Sequence, residues 1–156
     1  MNTDFERELA DTVRALPDRW KMLDPVLRQH VHVIHDWLTE TPPPREAGVW
    51  LQVRGIGEPH WLAVADGLAI GRSDGCDLVV RNAWISGRHC RFVQRDEDWL
   101  LEDLGSSNGT FVNGRKLPLH ILREGDVVQL NELRLLFLRT ESDDNTTATG
   151  VANERD

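Results

Sequence analysis

Apolar residues recur at helical spacing through the first forty positions and at shorter, turn-bounded intervals after that. Phe5, Leu9, Val13 and Leu16 share one face of a 3.6-residue repeat. Thr3-Asp4-Phe5-Glu6 fits a capping box, in which the Thr hydroxyl caps the first turn and Glu reaches back to it. Pro17 stops this helix. Asp24-Pro25 starts a second, with Asp as N-cap and Pro at the first helical position. Leu27, Val31, Ile34 and Leu38 form its apolar stripe. Thr41-Pro42-Pro43-Pro44 ends it, and residues 42–48 read as a stiff, extended linker. From Val49 onward the period changes. The expected strands are Val49–Val53, Trp61–Val64, Leu68–Ile70, Leu78–Val80, Cys90–Gln94, Trp99–Glu102, Thr110–Val112, Val127–Leu130 and Leu133–Leu138. Many short strands punctuated by Gly, Asp, Asn and Ser predict a mostly β sandwich or barrel over 49–140, behind a two-helix segment at 1–41. Residues 141–156 are polar and acidic without apolar periodicity and read as a disordered tail.

Charge sharpens this division. The net charge of -8 argues against a general nucleic-acid binder. Residues 1–46 carry nine acids and six bases, residues 141–156 five acids and one base, and the β segment is nearly neutral. A local cationic pocket in the middle is therefore compatible with an acidic chain. No apolar run approaches ~18 residues, and no basic, apolar leader opens the chain, so the expectation is a cytoplasmic protein without a membrane span. Cys76 and Cys90 lack metal-type spacing and are expected as reduced, buried thiols. His30 and His32 point to different helix faces, and His32 and His35 lack a third ligand, so no metal is expected. No cofactor motif is present either.

The dipeptide Asn-Gly occurs twice in Glu102–Leu117, at Asn108-Gly109 and Asn113-Gly114. Only Thr110-Phe111-Val112 lies between them, so both cannot be simple two-residue turns. Asn113-Gly114, between Thr110-Phe111-Val112 and Arg115-Lys116-Leu117, is the hairpin turn, because both residues adopt positive φ at little cost. Asn108-Gly109 closes the polar loop Gly105-Ser106-Ser107-Asn108-Gly109, which either turns the chain or presents donors to a ligand. Two further stretches bear on that choice. Ile70-Gly71-Arg72-Ser73 puts an Arg at a strand end, and Ile85-Ser86-Gly87-Arg88-His89 puts a hydroxyl, a glycine amide, a guanidinium and an imidazole in one loop.

In order and spacing, Gly71-Arg72, Ser86-x-x-His89, Asp103-Leu104-Gly105-Ser106-Ser107-Asn108-Gly109-Thr110 and Leu122-x-x-Gly125-Asp126 resemble the forkhead-associated (FHA) domain, over roughly residues 49–139. The resemblance implies a two-sheet β-sandwich that binds phosphothreonine in a partner protein or peptide, in Ser/Thr-kinase signalling. By the same resemblance Arg72 binds the phosphate, Ser86 donates its hydroxyl, Asn108 holds the peptide backbone and Ser107 lines the pocket. Gly71, Gly109 and His89 would support the site structurally. Gly87 stands where a larger polar residue often sits. A side-chain donor is lost there, though the Gly87 amide can still face the phosphate. Arg88 is either a second cation of the site or a plain solvated Arg. Trp84 either packs or helps select a downstream ligand side chain.

Other classes fit less well. Ser86 and His89 lie three apart, but no acidic orienter, nucleophile elbow or phosphate-binding P-loop accompanies them, so no enzyme is expected. The alternative is a scaffold that binds proteins without reading phosphate, using the sandwich and the N-terminal helices. The tail offers Thr146, Thr147 and Thr149 in an acidic setting. Some bacterial FHA proteins with a phosphorylated terminal segment are switched by self-binding, and this layout is similar to those, though here the tail is C-terminal; the tail is either a ligand for the chain's own site or a solubilising disordered segment.

Overall fold

The computed structural model describes residues 31–141. The expected first helix, the Asp24-Pro25 start of the second and the three tail threonines lie outside the described residues. The chain divides at Pro42/Pro43 into two units. In the first, a helix spans Val31–Glu40. It closes where the Thr41 amide donates to the Trp37 carbonyl at 2.9 Å, just before the prolines that cannot continue it. Ile34 is buried, and Leu38 is half-buried.

The second unit is a β-sandwich. Its strands are β1 (Gly48–Arg54), β2 (His60–Ala63), β3 (Leu68–Gly71), β4 (Leu78–Val79), β5 (Cys90–Arg95), β6 (Asp98–Asp103), β7 (Phe111–Val112), β8 (Arg115–Lys116), β9 (Leu119–Ile121), β10 (Val127–Leu130) and β11 (Leu133–Thr140). One sheet has the order β2-β1-β11-β10-β7-β8 and the other β4-β3-β5-β6-β9. Alternation along the strands builds the core between them. Leu51, Val53, Leu133, Leu135 and Phe137 from the first sheet meet Ile70, Phe92, Trp99 and Leu101 from the second. Each fully buried side chain of this size is worth about 1.5–3 kcal/mol of transfer free energy. β11 is apolar on both faces: Leu136 and Leu138, which alternate with Leu135 and Phe137, are buried too, as is Gln52 opposite Leu136.

The expected strands all form, with ends shifted by a residue or two. Val80 and Thr110 fall just outside β4 and β7. β9 was not among the expected strands. Leu119-His120-Ile121 follows Pro118 and is only three residues long, and Leu119 and Ile121 are exposed, so no buried face marks it in the sequence. Among the described residues no helix is long and apolar enough to cross a membrane.

Register places the site. Ile70 of β3 pairs with Cys90 of β5, and Cys90 pairs with Asp103 of β6. The C-terminal ends of β3 and β6 and the N-terminal end of β5 are thus level. The three loops that leave them, 72–77, 80–89 and 104–110, converge at one end of the sandwich.

Candidate functional site

The loops are locked to each other chiefly through backbone. The Arg72 amide donates to the Ser86 carbonyl at 2.9 Å and the Ser73 amide to the Gly87 carbonyl at 3.0 Å. This close approach requires Gly71, since a Cβ there would lie 2.2 Å from the Gly87 carbonyl oxygen. In a planar trans peptide the N–H points opposite to the C=O. With the Ser86 and Gly87 carbonyls turned toward the Arg72–Ser73 segment, the Gly87 and Arg88 N–H groups point away from it. Neither has an acceptor among the described residues.

His89 braces the same loop from below. It is 1% exposed. The Ser86 amide donates to His89 Nδ1 at 3.1 Å, which leaves the proton on Nε2 to donate to the Gly109 carbonyl at 2.9 Å. Both ring nitrogens are thereby committed to backbone, and neither is left for the Ser86 hydroxyl.

Asp103 organises the 104–110 loop. Its carboxylate accepts from the Gly105 and Ser106 amides at 3.1 and 3.0 Å, and from the Ser106 and Thr110 hydroxyls at 2.6 and 2.7 Å. Burial alone would raise this carboxyl. The hydrogen bonds from Ser106 and Thr110 outweigh burial and hold it below its ordinary value of 3.8. Ser106 Oγ also accepts the Gly109 amide at 2.9 Å. Gly109 has φ +92, a region glycine enters freely. Cys90, paired with Asp103, is a free buried thiol. Burial, with the Asp103 charge behind it, pushes it up to about 12, so it stays neutral.

Arg72, Trp84, Ser86, Gly87, Ser107 and Asn108 line one open concavity of about 300 Å³ at this end of the sandwich. The Ser107 amide donates to Ser86 Oγ at 3.0 Å, leaving the Ser86 O–H free to donate outward. Asn108 Nδ2 donates to the Trp84 carbonyl at 2.7 Å, and the Trp84 amide donates to Asn82 Oδ1 at 2.8 Å. The Trp84 backbone is held on both sides while its indole is 61% exposed at the rim. Arg72 makes a long contact, Nη1 to the Ala83 carbonyl at 3.3 Å. Arg81 pairs with Asp74 and Arg91 with Glu102, whereas Arg72 has no carboxylate partner among the described residues. Arg81 also donates to the Arg72 carbonyl at 2.9 Å.

Of the residues singled out in the sequence, Arg72, Ser86, Gly87, Ser107 and Asn108 come together in the concavity. Gly71, His89 and Gly109 sit beneath it. Arg88 is exposed and does not line it. The Asn108–Trp84 clamp carries a role that no local sequence pattern announces, because its partners lie on different loops; the network of Asp103, Ser106 and Thr110 lies within one loop and was not assigned from the sequence.

A family profile for the FHA domain matches residues 68–131. An oxoglutarate dehydrogenase inhibitor of Corynebacterium diphtheriae is 31% identical over 101 residues, covering 64% of this chain and 71% of that protein. The glycogen accumulation regulator GarA of Mycobacterium tuberculosis is 30% identical over 132 residues, covering 72% and 82%. Among solved structures, the FHA domain of FhaA in complex with the intracellular domain of Rv3910 superposes with a TM-score of 0.53 at 28% identity, covering 58% of this chain and 99% of that one. The MEK1 FHA domain bound to the HOP1 pThr318 peptide gives a TM-score of 0.50 at 31% identity, covering 61% and 99%. Sequence, sandwich topology and relatives together make this chain a member of the FHA domain family.

Proposed function

We propose that the concavity binds phosphothreonine in a partner protein or peptide, and that this chain is a regulatory binding module in Ser/Thr-kinase signalling. One observation carries the reading: an Arg without a carboxylate partner, a Ser hydroxyl left free to donate and the Gly87 amide without an acceptor line the same open concavity. A phosphate carries between one and two negative charges near neutral pH and has strong acceptor oxygens. Arg72 would bind it through paired, charge-assisted hydrogen bonds. Ser86 and the Gly87 amide would complete the cradle, with Arg88 as an outlying second cation. Asn108 would hold the peptide backbone beside it, with Ser107 lining the same pocket. The MEK1 relative is seen with a phosphothreonine peptide, which favours threonine as the carrier. The relatives named as an inhibitor and a regulator fit a binding role. Catalysis by Ser86 and His89 is disfavoured because both imidazole nitrogens are occupied by backbone.

The chain's own tail is a candidate ligand through Thr146, Thr147 or Thr149. Titration of 15N-labelled protein with a phosphothreonine peptide tests the reading. The Arg72, Ser86, Gly87 and Asn108 resonances should move, and the unphosphorylated peptide should leave them in place. Equal shifts from both peptides would favour the phosphate-independent scaffold.

A further inference from the structure

The Gly87 carbonyl receives two donors from the β3–β4 loop. One is the Ser73 amide at 3.0 Å; the other is the Cys76 thiol at 3.3 Å. Cys76 is 7% exposed, and its amide donates to the Ser73 carbonyl at 3.1 Å, closing a turn that points the thiol at Gly87. Gly87 has no side chain with which to fix its own backbone, and a Cβ there would come within 2.8 Å of Ser73 Oγ. The orientation of this peptide unit therefore depends on what holds its carbonyl. Because the unit is planar, the direction of the Gly87 C=O fixes the direction of the Arg88 N–H.

We infer that Cys76 is a positioning residue for the phosphate cradle: its thiol holds the Gly87 carbonyl toward the β3–β4 loop, and so fixes the backbone of Gly87, which lines the concavity, with the Arg88 amide of the same peptide unit turned outward at its edge. The inference rests on the reading of the site given above. A thiol is a weak donor, but it acts here on a glycine, whose backbone is otherwise the freest in the loop. It shares the carbonyl with a backbone amide, so its loss would loosen the cradle without unfolding the sandwich.

The test uses the whole chain and one phosphothreonine peptide. Cys76→Ala and Cys76→Val remove the donor, the second while filling the space; Cys76→Ser keeps a donor. The first two should weaken binding about two- to tenfold, and Cys76→Ser should stay within about twofold of wild type. In 15N spectra of the free protein the Arg88 amide should move in Cys76→Ala and return toward its wild-type position in Cys76→Ser. Wild-type affinity in Cys76→Ala and Cys76→Val, or an unmoved Arg88 amide, would overturn the inference. Arg72→Ala in the same titration separates the two levels. If it binds like wild type, the site itself is misread; if it loses binding while Cys76→Ala does not, only the role of Cys76 fails.

Discussion

Asn113 and Asn108 each precede a glycine, and the backbone treats them differently. Asn113 has φ +51 and Gly114 φ +86, the double positive φ of a tight hairpin turn. Its side chain is used as well: Nδ2 donates to Asp126 Oδ1 at 2.9 Å and Oδ1 accepts the Val127 amide at 2.9 Å. Asn108 keeps an ordinary φ, and only Gly109 turns positive. Asn113→Ala should therefore destabilise the fold by about 1–3 kcal/mol, through a strained turn and a buried Asp126 left short of a donor. Asn108→Ala should melt close to wild type and lose phosphopeptide affinity. Melting temperatures with matched peptide titrations check both, and similar behaviour of the two variants would reject the division of labour. The hairpin Asn was legible because its signal is local. The position of Asn108 in the concavity follows from a clamp to Trp84, twenty-four residues away, which local spacing does not encode.

At the scale of elements, the strands were legible wherever alternation marked a buried face. β9 was not, because its apolar side chains face outward and its pairing with β6 is set by the neighbouring strand alone. The 104–110 loop belongs to this scale too, as a unit hung on Asp103. The folded Asp103 carboxyl lies below its ordinary value of 3.8, so the loop's stabilisation is complete above that pH. It is lost as pH falls through the lower, folded value. Asp103→Asn, which keeps the shape but not the charge, should be less stable than wild type at neutral pH, and the gap should close as pH falls below 3.8 and through the lower, folded value. Denaturant titrations of both proteins across pH 2–7 would show it; a gap that stays constant with pH would mean the carboxylate charge contributes nothing.

For the whole molecule, the two ends of the sandwich set what the tail can reach. Arg139 donates to the Glu97 carbonyl at 3.2 Å, so β11 ends beside the tip of the β5–β6 hairpin, at the opposite end of β5 from the site. The six residues of β5 span about 20 Å at a strand's rise. From Arg139, seven extended residues to Thr146 cover at most about 25 Å, and ten to Thr149 about 35 Å. The chain must also round the edge of two packed sheets. Phosphorylated Thr149 should then close on the site of its own molecule, while phosphorylated Thr146 should bind only a second copy. Light scattering with competition by an external phosphopeptide distinguishes them: concentration-independent inhibition for Thr149, concentration-dependent association for Thr146, and neither if the tail is not a ligand. The central claim is tested most directly by calorimetry with one peptide in threonine and phosphothreonine forms, against wild type and Arg72→Ala. Wild type should bind the phosphorylated form in the micromolar range and the other barely, and Arg72→Ala should lose about 1.5–3 kcal/mol, roughly ten- to 150-fold. Equal affinity of wild type for both peptides, or an Arg72→Ala protein that binds the phosphopeptide undiminished, would contradict it.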